Sequence, residues 1–368
     1  MAGTAAYAAA HPELASSLHF RKLRHPAGVT VSSLGIGTYL GEADAATDAA
    51  YAAAIRAALK GGLNLLDTAI NYRHQRSERV IGQVLRELEQ DGGLGRDQVV
   101  VCTKAGYIPF DGGMPADPRA YFAGTFLRPG IIAPGQVAAG SHCMAPVFLA
   151  HQLERSLANL GLDAVDVFYL HNPETQQSEL SREEFYRRVR AAFEMLEKQA
   201  AQGRIAAYGI ATWNGLRVPP DSVEYLDLQR MVAIAQELAG ESHHFRFVQL
   251  PYNLAMPEAY TLLNQTVEKP PYVSTLNAAF RLGLQVIASA SLFQGRLQTL
   301  PDEARDHLRG FLPAAASDAE LALQFIRSTA SVTAALVGMA NPEHVAANLR
   351  AAAVAPAPPS QIGKLLGQ

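Results

Sequence analysis

Four polar side chains stand where short apolar runs of this chain end. Leu63-Asn64-Leu65-Leu66 passes at once into Asp67-Thr68-Ala69-Ile70-Asn71-Tyr72. Val99-Val100-Val101-Cys102-Thr103 ends in Lys104, Val165-Asp166-Val167-Phe168-Tyr169-Leu170 ends in His171, and the run 204–211 ends in Thr212. A carboxylate beside a lysine holds its cation in place. A phenol beside that cation loses its proton more easily, because opposite charge stabilises phenolate. An imidazole can donate a hydrogen bond to a carbonyl oxygen. Together these groups make a proton donor tuned toward working pH and a site that stabilises a developing alkoxide. They can meet only if the strands that carry them end on one rim, where a parallel α/β sheet or barrel places its chemistry.

The rest of the chain supplies such strands. After Leu34-Gly35-Ile36-Gly37-Thr38 one unit recurs: an amphipathic helix, a turn with glycine, then a short apolar strand. Helix 44–60 leads to strand 63–66, helix 78–90 to strand 98–103, helix 147–160 to strand 165–170, and helix 182–202 to strand 204–211. Helices around 223–238 and 273–282 lead to strands 245–250 and 284–288; helix 318–328 leads to strand 334–337, and helix 343–352 follows. Eight strands alternating with helices favour an α/β fold with a single closed (β/α)8 TIM barrel over an open sheet. Ser317-Asp318-Ala319-Glu320 reads as a capping box. Asn341-Pro342-Glu343 puts proline in a first helical turn, and Gly161 and Gly203 follow helices as C-caps.

Residues 1–17 are expected as a flexible N-terminal extension, 18–355 as the barrel with a β-hairpin around Pro26-Ala27-Gly28, and 356–368 as a C-terminal tail. Two segments break the rhythm. The insertion 105–145 is rich in Gly, Pro and aromatics; a loop of this length is functional or disordered, and its aromatics argue against disorder. Segment 213–222 carries Trp213 and two prolines. Both follow strand ends and fall on the active-site face, so Tyr107, His142 and Trp213, with Tyr39 just after the strand that ends at Thr38, are candidates to line a substrate pocket.

Composition excludes several classes. A net charge of −3 with 18% charged residues gives no electrostatic case for nucleic acid or an anionic membrane. No apolar run is long enough to span a bilayer, and the N-terminus, without early Lys or Arg, is a poor signal peptide. Two cysteines, Cys102 and Cys143, make no disulfide framework; Cys102 in a buried strand suits a reducing compartment, and a cytoplasmic protein is expected. His142-Cys143 and His243-His244 fit no ligand spacing, so no metal is expected. No Gly-x-Gly-x-x-Gly follows a strand.

Taken in order, Gly37-Thr38, Asp67–Tyr72, Val101-Cys102-Thr103-Lys104, Tyr169-Leu170-His171-Asn172-Pro173, Gln249-Leu250-Pro251-Tyr252-Asn253 and Gly338–His344 with Asn348 resemble the aldo-keto reductase family over nearly the whole chain. The resemblance implies Tyr72 as general acid, Lys104 lowering its pKa, Asp67 pairing with Lys104, and His171 orienting a carbonyl. It implies a nicotinamide dinucleotide bound without a Rossmann domain, with Gly37 and Thr38 among the cofactor positions. Thr212 falls where the family usually has an Asn on the carboxamide, and Gln249 matches the second carboxamide contact. Ser289 stands where many members stack an aromatic on the nicotinamide. The turn with Ser291, Leu292, Gly295 and Leu297 matches the pyrophosphate cradle. Gly338, His344 and Asn348 match the adenosine end, where helix N–H groups suit phosphate.

Many NADPH-preferring members have Lys and Arg at the positions of Gly338 and His344, and no Lys or Arg lies in 338–349; family habit still favours NADP(H) over NAD(H). The implied activity is NAD(P)H-dependent reduction of an aldehyde or ketone, or the reverse alcohol oxidation; the acidic-to-neutral surface and aromatic loops point to an uncharged, moderately sized substrate. The alternative is a nucleotide-binding regulatory or slow-turnover protein on the same fold. A lyase forming a Schiff base at Lys104 is disfavoured, because Asp67 would keep the amine protonated. Oligomeric state is open.

Overall fold

The computed structural model describes residues 2–367; Met1 and Gln368, the outer ends of the expected extension and tail, lie outside them. Eight strands, β1 (Leu34–Gly37), β2 (Leu65–Asp67), β3 (Val100–Ala105), β4 (Val165–His171), β5 (Ile205–Ala211), β6 (Phe245–Pro251), β7 (Gln285–Ser289) and β8 (Val332–Gly338), close into a barrel in sequence order. Every neighbouring pair is parallel. The helices that follow the strands in turn are α1 (Ala45–Gly61), α2 (Arg76–Gln90), α3 (Pro146–Leu160), α4 (Arg182–Ala201), α5 (Leu228–Ala239), α6 (Thr275–Arg281), α7 (Asp318–Ser328) and α8 (Pro342–Ala353). Their starts are chemically marked: Asp44, Ser181, Asp227, Ser274, Ser317 and Asn341 each accept a backbone N–H as N-cap.

Side-chain alternation along the strands sorts residues into two cores. Leu65, Val100, Cys102, Val167, Tyr169, Ala207, Phe247, Ile287, Ala334 and Leu336 form one cluster, which fills the barrel. Leu66, Val101, Ala105, Phe168, Leu170 and Ile210 belong to the other, packed under the helices. On the inner face of β5, Gly209 has no room for a side chain: a Cβ there would lie 2.1 Å from the Phe247 carbonyl oxygen. The hairpin Phe20–Lys22/Thr30–Ser32 closes the N-terminal end of the barrel. Leu23, Val29 and Val31 join the inner cluster, and Asn64, just before β2, accepts from Ser32 N (2.8 Å) and donates to Thr30 O (2.9 Å).

The expected flexible extension is instead folded. Residues Ala2–Ala9 and Pro12–Ala15 are helical. Tyr7 is 2% exposed and its hydroxyl donates to Leu59 O (2.6 Å), while Leu14 is buried beside it. Alanine gives this segment high helix propensity, but Tyr7 and Leu14, the two large apolar side chains in residues 2–15, make no periodic pattern. Arg327 on α7 anchors both chain ends, donating to Ser17 O (3.2 Å), Ala351 O (2.6 Å), Ala352 O (3.1 Å) and Val354 O (2.7 Å). The expected tail carries helix Pro359–Leu365, which buries Ile362. Helix Asp302–Phe311 and the hairpin Leu263–Val267/Lys269–Ser274 were not anticipated by pattern. Among the described residues no helix is long and apolar enough to cross a membrane.

Docking of the N-terminal helix gives a stability prediction. Tyr7→Ala should destabilise the protein by about 3 kcal/mol or more through the cavity it leaves, and Tyr7→Phe by about 1 kcal/mol through the lost hydrogen bond. Urea titration measures both; an unchanged midpoint for Tyr7→Ala would show that this helix contributes no packing.

Candidate active site

Strand register brings the polar strand ends to one level. Gly37 pairs with Asp67, Asp67 with Cys102, Lys104 with Tyr169, His171 with Ala211, and Ala211 with Gln249. Asp67, Lys104, His171 and Gln249 share the inward parity of the apolar cluster and cap it at the C-terminal rim. Lys104 is 0% exposed; its Nζ donates to Asp67 Oδ1 (2.5 Å) and Thr68 O (2.8 Å). The other carboxylate oxygen, Asp67 Oδ2, accepts from Gln249 Nε2 (2.8 Å). Lys104 Nζ lies 4.9 Å from the centre of the Tyr72 ring, and Tyr72 meets His171 edge-on at 5.7 Å between ring centres. All four residues read as a proton-transfer set therefore converge.

Burial governs their ionisation. Burial disfavours the Lys104 ammonium, but Asp67 and Tyr72 more than offset it and its pKa is raised. Burial pushes the Asp67 carboxyl up against the pull of Lys104. It also raises the Tyr72 phenol, and Lys104 opposes the rise without reversing it. Lys104 lowers the Tyr72 pKa, as expected, but desolvation of a phenolate outweighs attraction to an ammonium that Asp67 already neutralises, and the net direction is upward. Burial, with Lys104 close by, holds His171 well below its ordinary value, leaving a neutral imidazole whose Nδ1 has no partner.

Tyr72 sits at a tight corner. Arg73, His74 and Gln75 all have left-handed backbone (φ 48°, 56° and 73°) without being glycine. Side-chain bonds hold this strained turn. Arg73 donates to Glu42 O (2.8 Å), Asp44 O (3.2 Å) and Asp48 Oδ1 (2.5 Å). Gln75 donates to Phe110 O (2.9 Å), which ties the corner to the insertion loop.

Above the rim opens a cleft of about 830 Å³. Tyr72 and His171 line it, as do Gly37, Thr38, Thr212, Gln249, Ser289, Ser291, Leu292, Gly295, Gly338 and His344 among the expected cofactor positions. Leu297 and Asn348 do not; both are buried behind it. Ser291 Oγ is buried without a hydrogen-bond partner at the turn expected to cradle pyrophosphate, which fits a polar ligand group there. Thr212 departs from its expected role: its hydroxyl donates to Glu174 Oε1 (2.6 Å) and accepts from Gly215 N (2.9 Å), so it has at most one lone pair left for a carboxamide. Among the described residues no Lys or Arg lines the cleft.

Tyr39, Tyr107 and Trp213 line the cleft as expected of substrate-pocket residues, but His142 does not. It is buried on the short hairpin Val137–Ala138/His142–Cys143 at the end of the insertion. Arg188 donates to Gln176 Oε1 (2.7 Å), which makes the other end of that amide the donor to His142 Nδ1 (2.9 Å). His142 Nε2 then carries the hydrogen and donates to His171 O (2.7 Å). Gly106 makes room for this contact, since a Cβ there would lie 2.6 Å from His142 Nε2. The insertion thus braces the backbone of His171 from behind. Sequence reasoning passed over Asn71, Asn172 and Gln298, which also line the cleft; adjacency to Tyr72 and His171 was the available signal for the first two. Among the described residues no group of three or more His, Cys, Asp or Glu side chains is placed to hold a metal.

A closed parallel barrel with a cleft at its C-terminal rim and a buried acid–amine pair at the cleft floor has the architecture of a (β/α)8 enzyme. The chain belongs to the aldo/keto reductase family, whose family model matches residues 33–310. It is 24% identical over 379 residues to L-glyceraldehyde 3-phosphate reductase of Escherichia coli O157:H7, covering 93% of this chain and 90% of that protein. Among solved structures, an aldo-keto reductase from Klebsiella pneumoniae in complex with NADPH superposes with a TM-score of 0.61 at 22% identity, covering 94% of this chain and 95% of that one. The glycerol dehydrogenase of Gluconobacter oxydans superposes with a TM-score of 0.63 at 18% identity, covering 90% of each chain.

Burial drives the His142 pKa down to about 4. The unfolded imidazole titrates near 6.5, so between 6.5 and 4 the unfolded chain binds a proton that the folded chain refuses. Stability is full above pH 6.5 and falls as pH drops through that window, with His142 contributing about 3 kcal/mol of the loss by pH 4. Denaturant titrations against pH should show a shallower acid loss in His142→Gln; identical pH profiles would contradict this.

Proposed function

We propose that this protein is an NAD(P)H-dependent carbonyl reductase, reducing an aldehyde or ketone and, in reverse, oxidising the alcohol. The observation that carries the reading is the convergence of Tyr72, Lys104, Asp67 and His171 at one end of a family-defining barrel. A bound nicotinamide dinucleotide would supply the hydride. Gln249, Ser289, Ser291 and the turn to Gly295 are the residues that would hold its nicotinamide and pyrophosphate, with Gly338, His344 and the N-terminus of α8 at the adenosine end. Tyr72 gives its proton to the oxygen as negative charge develops there, and Lys104 stabilises the phenolate left behind. His171, neutral, orients the carbonyl oxygen through a hydrogen bond; it takes no charge itself.

Support for NADP(H) comes from relatives such as the Klebsiella pneumoniae enzyme solved with NADPH. In this cleft a 2′-phosphate would meet His344 and backbone amides rather than Lys or Arg. Fluorescence titration should therefore give NADPH only a small advantage over NADH, about tenfold or less in Kd; a hundredfold preference would contradict it. The same shortage of cations, with Tyr39, Tyr107 and Trp213 around the mouth, favours an uncharged substrate. A second reading, a nucleotide-binding protein of slow turnover, is favoured by the engaged Thr212 hydroxyl and by Ser289 in place of a stacking aromatic.

Tyr72→Phe should lower kcat by about a thousandfold and leave the NADPH Kd within about twofold. Near-normal turnover would overturn the assignment of Tyr72. Tight nucleotide binding with negligible wild-type turnover across a broad carbonyl panel would establish the second reading.

A further inference from the structure

A buried carboxylate that the proton-transfer set does not use lies three residues beyond His171. Glu174 is 3% exposed, does not line the cleft, and has no cationic partner among its hydrogen bonds. Its Oε1 instead accepts from Thr212 Oγ1 (2.6 Å), Trp213 N (2.8 Å) and Asn214 N (3.2 Å). Two consecutive backbone N–H groups and a hydroxyl converging on one oxygen form a small anion-binding corner. Here the acceptor is the protein's own carboxyl group, whose pKa burial raises; its other oxygen, Oε2, is buried without a hydrogen-bond partner. The corner has further supports: Thr212 Oγ1 accepts from Gly215 N (2.9 Å), and Arg217 Nε donates to Trp213 O (3.0 Å). Four of these five bonds end on main chain at residues 213–215, and the fifth holds the Thr212 hydroxyl. None touches the indole of Trp213, which lines the cleft at 41% exposed.

Glu174 is itself held. It lies in the turn Pro173–Ser178, entered through Asn172 with left-handed backbone (φ 45°). Asn172 donates to the Tyr107 hydroxyl (3.2 Å), and that hydroxyl is bonded to Thr175 (3.3 Å). Gln176 of the same turn holds His142. One short turn thus connects His171 with two aromatic residues of the cleft lining, Tyr107 and Trp213.

We propose that Glu174 is a positioning residue of the substrate site: its buried carboxylate fixes the Thr212–Gly215 corner and so sets Trp213 as a wall of the cleft beside His171. The carbonyl-bearing molecule is then gripped between Tyr107 and Trp213, so Glu174 acts on substrate binding and not on proton transfer. For its kinetic arm this rests on the carbonyl-reductase reading.

The chain contains a single tryptophan, so its fluorescence reports on this corner alone. In the full chain, Glu174→Ala should roughly double acrylamide quenching of Trp213. It should raise KM about tenfold with kcat within about threefold, the pattern of lost substrate binding. Glu174→Gln, which keeps one acceptor oxygen and the side-chain volume, should fall between Ala and wild type. In a Trp213→Phe background Glu174→Gln should add little to KM, because the two act as one unit. Unchanged quenching, a fall in kcat at constant KM, or additive effects in the double variant would each overturn the proposal. Should Glu174→Ala fail to fold, Glu174→Gln decides alone: raised quenching and KM support the role, and wild-type values overturn it. Quenching is read without substrate, so it tests Glu174 even if no carbonyl is turned over, whereas Tyr72→Phe bears on the reaction alone.

Discussion

The site is organised around one buried ion pair, Lys104 with Asp67. Two charges taken out of water are tolerated only when their remaining hydrogen-bonding capacity is filled. Here the Thr68 carbonyl adds a second hydrogen bond to the ammonium and the Gln249 amide a second to the carboxylate. Gln249 stands 182 residues from Asp67 in the chain, on β6, and reaches β2 only because the sheet has closed into a ring. The pair therefore depends on barrel closure and in turn ties β2, β3 and β6 together at their C-terminal ends. The phenol of Tyr72 and the imidazole of His171 are set around this cation.

Around that centre the protein adds a bracing system built from loops. The long insertion after β3 does not lie over the site as a simple lid. Its final hairpin passes behind β4 and bonds the His171 carbonyl through His142, while its start supplies Tyr107 to the cleft. The strained corner after Tyr72 is fastened to both neighbours, by Arg73 to the segment after β1 and by Gln75 to the insertion. These are rigid, polar, directional contacts, suited to holding side chains within tenths of an ångström on segments that carry no sheet hydrogen bonds.

Much of the fold was legible because barrel strands and helices repeat simple periods. Helix 318–328 was placed at its observed limits, its start marked by a serine cap and a glutamate three residues on; the other barrel helices fell within two residues at each end, except that the one expected from 223 begins at Leu228. The chain ends were not legible. Tyr7 and Leu14 are too few to make a stripe, and their partners near Leu59 and Gly62 lie far away in sequence. His142 was read as pocket lining because its loop faces the cleft; its ring turns away to satisfy a backbone carbonyl, a partner that no spacing rule encodes. Glu174 gave no signal at all, since one acid after a proline has no pattern until its three donors are seen.

The sequence by itself determined which groups stand at the strand ends and that they point the same way. Residues of one parity on successive parallel strands face one interior, so polar residues ending apolar runs must gather at one rim. It also determined the family and with it the class of reaction to expect. Only the tertiary structure decided how those groups are charged and what they hold. Tyr72 lies above its ordinary pKa although a lysine is beside it, Thr212 is engaged by Glu174, and Asp67 is shared between Lys104 and Gln249. Each outcome depends on distance and on exclusion of water, and neither exists until the barrel has closed.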